Sequence, residues 1–264
     1  LVAGANGYIG AAVVRAFVRA GWRVFGLVRR PESGVAVITE EATPIIGTLD
    51  SPDAWLPGLF QQTRAVDVVV NCIEPFPNYE EPFRQLIALT RLVAKESQKH
   101  GVRPLLLWCS GSKDYGPTRL HGDPELVPAT EETPLQNAIQ PVLRRTEMSL
   151  EALADLRDAV DAVLLRPPTV YGYTSGYYGP LLDYAAAERA AGATALRVRG
   201  DPGSIMHAMH IDDCGEGFVA LAEHRDRAAL AGQSFNLASY RYETAREIAD
   251  AVAAEYGFPD GADV

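Results

Sequence analysis

Three glycines stand at Gly4, Gly7 and Gly10 in Val2-Ala-Gly-Ala-Asn-Gly-Tyr-Ile-Gly10, between an apolar run and a stretch of helical period. The first suits a tight turn, the second lets backbone N–H groups approach a pyrophosphate, and the third lets helix and strand pack closely. The helix that follows points its N-terminus at the anion. A bare glycine pattern is weak, but the strand before it and the helix after it make this a dinucleotide fingerprint, with Asn6, Tyr8 and Ile9 completing the loop. About 20 residues further on, an NAD site carries a carboxylate for the ribose 2′-hydroxyl. Here Arg29 and Arg30 follow Val24-Phe-Gly-Leu-Val28, and two guanidinium groups suit a 2′-phosphate, so NADP(H) is expected over NAD(H). The alternative is that two arginines beside a surface turn are simply solvated.

Further along, Leu49 and Asp50 close Gly47-Thr-Leu-Asp50, where Asp50 can meet the adenine amine or cap the next helix. Asn71, Cys72 and Ile73 end another apolar run, where backbone amides would line the nicotinamide side. His207, His210, Asp212 and Asp213 lack the further ligands that a structural metal wants, and no metal site is expected. His210 is expected to pack and Asp213 to cap a helix.

The elements that must position these groups alternate. Buried strands are expected at 1–3, 23–28, 44–47, 66–71, 104–109 and 162–166, and helices at 8–20, 53–63, 79–100 and 138–157. That order reads as α/β: a Rossmann-type doubly wound parallel sheet. The Gly-, Pro- and charge-rich stretch 111–134 reads as a long loop after a strand, the place where open α/β sheets hold active sites. Beyond Pro167 the pattern shifts to Tyr- and Gly-rich turns and a helix near 181–191. The domains are therefore read as a Rossmann domain over 1–167 and a smaller, partly interleaved substrate lobe over 168–264.

With 264 residues, one domain plus a small lobe fits best. The net charge of -10 argues against nucleic acid and against an anionic membrane surface, and no apolar run approaches a bilayer span. A soluble protein with a small-molecule substrate is expected. Cys72, Cys109 and Cys214 are few, scattered and odd in number, which suits reduced thiols in the cytoplasm. Leu1 stands three residues before the first glycine, as if the first strand had lost residues, and 260–264 ends just after a helix; both ends are left open.

Together these residues resemble the extended short-chain dehydrogenase/reductase family, the NAD-dependent epimerase/dehydratase group, along nearly the whole chain. The resemblance rests on the Gly4–Gly10 loop, Asp67-Val-Val-Val-Asn71, Cys109-Ser-Gly-Ser-Lys-Asp-Tyr-Gly116, Glu131-Glu-Thr-Pro-Leu135, Leu165-Arg-Pro-Pro-Thr-Val-Tyr-Gly172, His210-Ile-Asp-Asp213 and Gly232-Gln-Ser-Phe-Asn-Leu237. It implies a hydride step, with Pro167 beside the cofactor, Ser110 or Ser112 orienting a carbonyl, and a homodimer through the helices at 79–100 and 138–157.

It also implies a Tyr-x-x-x-Lys pair that passes the proton, because hydride delivery to a carbonyl builds an alkoxide that a phenol beside an ammonium can protonate. No such pair can be drawn, since the lysines are Lys95, Lys99 and Lys113; with Glu147 setting the register, Ile139 and Leu143 fill the two places. The chain therefore resembles an atypical branch with a nonstandard proton donor. Replacement acids are sought among Tyr115, Tyr171, Tyr173, Tyr177 and Tyr178, all near strand ends expected to face the cleft. Tyr115 and Tyr171 match family positions, with buttressing of loops through a buried hydroxyl as the alternative role, and Lys113 and Asp114 sit in the active-site loop, where they can contact substrate. The expected function is an NADP(H)-dependent oxidoreductase or epimerase/dehydratase-like enzyme on a small oxygenated metabolite. The alternative is a non-catalytic NADP(H) sensor.

Overall fold

The computed structural model describes residues 1–135, 140, 142–173 and 175–264. Strands and helices alternate through the first two-thirds: β1 (Val2–Ala3), α1 (Tyr8–Arg19), β2 (Phe25–Val28), α2 (Gly34–Thr39), β3 (Thr43–Ile46), α3 (Leu56–Gln62), β4 (Val68–Asn71), α4 (Glu80–Gln98), β5 (Leu105–Cys109), α5 (Val142–Leu156) and β6 (Asp161–Arg166). There follow β7 (Thr169–Gly172), β8 (Ser175–Gly176), α6 (Gly179–Ala190), β9 (Leu196–Arg197), β10 (Ala208–His210), α7 (Ile211–Ala222), α8 (Arg227–Leu230), β11 (Ser234–Asn236), α9 (Ala245–Glu255) and β12 (Ala262–Asp263).

The main sheet has seven strands in the order β11-β6-β5-β4-β1-β2-β3, all pairs parallel. This is the expected Rossmann-type doubly wound α/β sheet, whose order reverses between β1 and β4 and opens a crevice there. A strand with helices on both sides is apolar on both faces, and β5 shows why its sequence is Leu-Leu-Leu-Trp-Cys. Leu105, Leu107 and Cys109 join α1 and α7 in one core, while Leu106 and Trp108 join α4 and α5 in the other. Trp108 is fully buried, and its indole N–H donates to Ser149 Oγ at 3.1 Å.

The C-terminal third does two jobs. The strands β10-β7-β8 form a small sheet, and a third core around Ala185, Leu196, Val252 and Phe258 unites α6, α9 and the β9–β12 pair. Yet β11 lies in the main sheet beside β6, and α7 packs along α1, where a Cβ on Gly215 would sit 2.7 Å from Ala12 O.

One element is added to those read from the sequence, and two expectations change. Residues 34–39, rich in β-branched side chains, form α2, because Val37 packs into the space that Gly26 leaves; a Cβ there would lie 2.8 Å from Val37. The helix expected at 53–63 divides at Trp55 into a 3₁₀ turn, Pro52–Ala54, and α3. The loop after β5 opens with a 3₁₀ turn, Ser112–Tyr115. The helix expected at 138–157 is seen as α5 from Val142; residues 138, 139 and 141, Ile139 among them, lie outside the described residues.

Candidate active site

The glycine loop is built as its chemistry requires. Gly4 has φ +79°, and a Cβ on it would lie 2.9 Å from Cys72 O, so the loop after β1 and the end of β4 meet in backbone contact at the crevice. A Cβ on Gly10 would fall 2.0 Å from Gly4 O. Gly7 is the N-cap of α1 with no side-chain cap, so the first-turn N–H groups at Tyr8, Ile9 and Gly10 have no capping side chain. Asn6 and Gly7 are exposed. A helix N-terminus left bare at a topological switch point, over a cradle that any Cβ would fill, fits a dinucleotide pyrophosphate.

Arg29 and Arg30 sit exposed just past β2; Arg30 pairs with Glu32 at 3.3 Å, and Arg29 Nε and Nη atoms have no side-chain partner among the described residues. Leu49 is half-buried and Asp50 exposed. Asp50 caps no helix, a correction: the turn that follows has Ser51 at its N-cap without a side-chain bond. Asn71 is fully buried, and its Oδ1 accepts from Ile73 N–H at 2.9 Å, which shapes the chain as it leaves β4.

A cleft of about 390 Å³ opens at the carboxyl ends of the strands. Its lining includes Tyr8, Ile9, Cys72, Ile73, Glu74, Ser110, Ser112, Lys113, Arg145, Pro167 and Tyr177. Thus the structure gathers the start of α1, the end of β4, both serines and Pro167 around one space. A smaller cleft of about 130 Å³ lies at the opposite ends of the strands, beside Arg23 and Asp67 and away from the glycine loop.

The cleft wall rests on a buried charge network. Asp114 is fully buried and accepts from Ser110 Oγ at 2.6 Å, Arg145 Nη2 at 2.8 Å, Thr146 Oγ1 at 2.9 Å and Arg166 Nε at 3.4 Å. Burial alone would lower the Arg145 pKa, but the Asp114 carboxylate outweighs it and holds the guanidinium charged. Arg145 also lies 3.7 Å from Glu74, which accepts the hydroxyl proton of Tyr79. A carboxylate has no proton to give, so Ser110 must donate to Asp114 and present lone pairs to the cleft. Ser112 Oγ has no side-chain partner among the described residues and is the serine hydroxyl free to donate.

Two expected residues turn away. Tyr115 gives its hydroxyl to Asn236 Oδ1 at 2.8 Å and receives Arg166 Nη1 at 3.1 Å, tying the loop after β5 to β6 and β11 as a buttress. Tyr171 packs its ring against Tyr178 and His210 and does not line the cleft. His210, not Asp213, caps α7, accepting from Asp212 N–H at 3.2 Å through Nδ1. Among the described residues no group of His, Cys, Asp and Glu side chains forms a metal site, and no helix is long and apolar enough to cross a membrane. Burial raises all three thiols, Cys214 to about 12, which removes them as nucleophiles. Reading the residues alone missed Glu74, Arg145 and Arg166 as neighbours of the cleft; the visible signal was a charge closing an apolar strand, as Arg166 does after Val163-Leu-Leu165.

A parallel sheet that reverses order under an uncapped, glycine-lined helix start defines a Rossmann dinucleotide-binding protein. The profile of the NAD dependent epimerase/dehydratase family matches residues 1–238, and the chain belongs to that family, one of NAD(P)-dependent enzymes. Solved structures share the fold. One is dTDP-glucose 4,6-dehydratase from Bacillus anthracis in complex with NAD, with TM-score 0.74 and 18% identity, covering 99% of this chain and 82% of that one. Another is UDP-glucose 4-epimerase from Thermotoga maritima with UDP-glucose, with TM-score 0.69 and 19% identity, covering 97% and 82%. An uncharacterized protein of Schizosaccharomyces pombe is 26% identical over 230 residues, 87% of this chain and 72% of its own length.

Proposed function

We propose that the protein is an NADP(H)-dependent oxidoreductase or epimerase-like enzyme acting on a small oxygenated metabolite. The observation that carries this reading is the bare N-terminus of α1 opening into the 390 Å³ cleft beside both serines. Gly4, Asn6, Gly7, Tyr8, Ile9 and Gly10 would hold the pyrophosphate, with Asn71, Cys72, Ile73 and Pro167 around the nicotinamide. Leu49 and Asp50 would meet the adenine. Arg29, whose side chain has no partner among the described residues, and Arg30 would take the 2′-phosphate. Bound there, the cofactor supplies or accepts a hydride. Ser112 would donate to the substrate's carbonyl oxygen, and Ser110, its proton held by Asp114, would accept from a neighbouring hydroxyl. Residues 168–264 would supply most of the substrate lobe.

The same proposal includes a homodimer through α4 and α5 and a cytoplasmic setting that keeps the three cysteines reduced. A second reading, a sensor that binds NADP(H) without turnover, is favoured by one observation: α5 carries neither Tyr nor Lys.

Titration with NADPH and NADH, followed by NADPH oxidation against a panel of carbonyl compounds, tests both. Tight NADPH binding with turnover that falls in Ser112→Ala supports the enzyme. Binding without turnover on any compound leaves the sensor, and failure to bind either dinucleotide removes both.

A further inference from the structure

Carbonyl reduction needs a proton donor, and general acids are drawn from His, Asp/Glu, Lys, Tyr and Cys. No histidine lines the cleft. Burial raises the thiols of Cys72 and Cys109 and leaves them inert. Glu74 already accepts the Tyr79 hydroxyl proton and faces Arg145, so it stands as an acceptor. Tyr8 spends its hydroxyl on Gly172 O at 2.9 Å. Lys113 and Tyr177 remain. The Lys113 ammonium lies 5.3 Å from the centroid of the Tyr177 ring, and neither polar end has a hydrogen-bond partner among the described residues.

Both residues are held in place by their neighbours. Lys113 sits in the 3₁₀ turn whose next residue, Asp114, is anchored by two arginines. Tyr177 follows Gly176, where a Cβ would lie 2.3 Å from Val170 O and 2.8 Å from the Tyr8 ring, so its loop is pressed onto the start of α1. The contact joins the loop after β5 to the loop after β8 across the cleft.

We infer that Tyr177 and Lys113 form a proton-donating pair assembled from two separate loops, an assignment that rests on the functional reading above. As the reduced nicotinamide dinucleotide gives a hydride to the carbonyl carbon and is oxidised, the C=O π bond breaks and its electron pair takes the proton from Tyr177. The O–H bond of Tyr177 breaks, and the Lys113 ammonium balances the phenolate until solvent returns the proton. Solvent has access, because Tyr177 is 54% exposed.

The test compares wild type with Tyr177→Phe, Lys113→Met and Lys113→Arg on a carbonyl that the wild type reduces, with NADPH affinity followed by fluorescence. Tyr177→Phe is expected to lose about 10²- to 10⁴-fold in kcat while the NADPH Kd stays within about twofold. Lys113→Met loses part of that and Lys113→Arg restores it, and the pH profile of Tyr177→Phe loses the limb set by the acid. Independently of turnover, acetylation of Tyr177 by N-acetylimidazole, read by mass spectrometry, slows when NADP and an unreactive carbonyl ligand are bound, while fully exposed Tyr240 reacts unchanged. Undiminished turnover in Tyr177→Phe, or loss of NADPH binding in step with turnover, overturns the pair alone. A wild type that binds NADPH and reduces no carbonyl overturns the functional reading and the pair together.

Discussion

Ser110 and Asp114 meet through a 2.6 Å hydrogen bond inside the protein, and the same carboxylate compensates Arg145 and Arg166. Removing Asp114 therefore strands two buried cations rather than one contact. Asp114→Ala is expected to cost about 3–5 kcal/mol, the usual penalty for breaking a buried ion pair on one side. Urea unfolding measures it; a loss under about 1 kcal/mol means that water already solvates the network.

Gly10→Ala tests the cradle. Its Cβ would stand 2.0 Å from Gly4 O, which is backbone and must move with β1. We expect a loss of about 2 kcal/mol or more together with NADPH binding. Gly21→Ala is the control, with open space around the new Cβ but φ +84°, so it costs stability and spares binding.

Arg29→Ala is expected to weaken NADPH by about 10- to 100-fold, the worth of a hydrogen bond between charged groups, and to leave NADH unchanged. Equal weakening of both cofactors would place Arg29 away from the 2′-phosphate.

Asp212 links α7 to α1, accepting from Arg15 at 2.6 Å and from Tyr173. Burial would raise its pKa, but the bonds from Tyr173 and Arg15 prevail and lower it. Its stabilisation is therefore present above the unfolded carboxylate value of about 3.9 and is lost as the pH falls through the lower folded value. Thermal unfolding of Asp212→Asn should show a deficit of about 1 kcal/mol at neutral pH. The two curves should converge in acid; a deficit constant across the range rules the linkage out.

The sheet and the glycine loop were readable because both depend on local pattern: apolar runs of strand length, helical period, and glycines where backbone meets backbone. Short, β-branched 34–39 carried no legible pattern, since what makes it helical is the room that Gly26 in β2 leaves for Val37. The charges beside the cleft were hidden for the same reason. Asp114, Arg145 and Arg166 lie 31 and 52 residues apart in hydrogen-bonded pairs, and spacing along the chain carries no sign of that meeting. A Tyr and a Lys were sought four residues apart on one helix, whereas Tyr177 and Lys113 approach through two loops.

The position of β11 has a consequence for how the protein is made. A ribosome releases β6 long before Ser234–Asn236 exists, so the nascent sheet waits with the edge of β6 open, and the face of α1 that α7 will cover stays wet. An unpaired edge of this kind invites pairing with other chains. Chaperone protection during synthesis should thus matter most between the emergence of residue 166 and that of residue 236, and a chain halted in that interval should aggregate where the finished one does not.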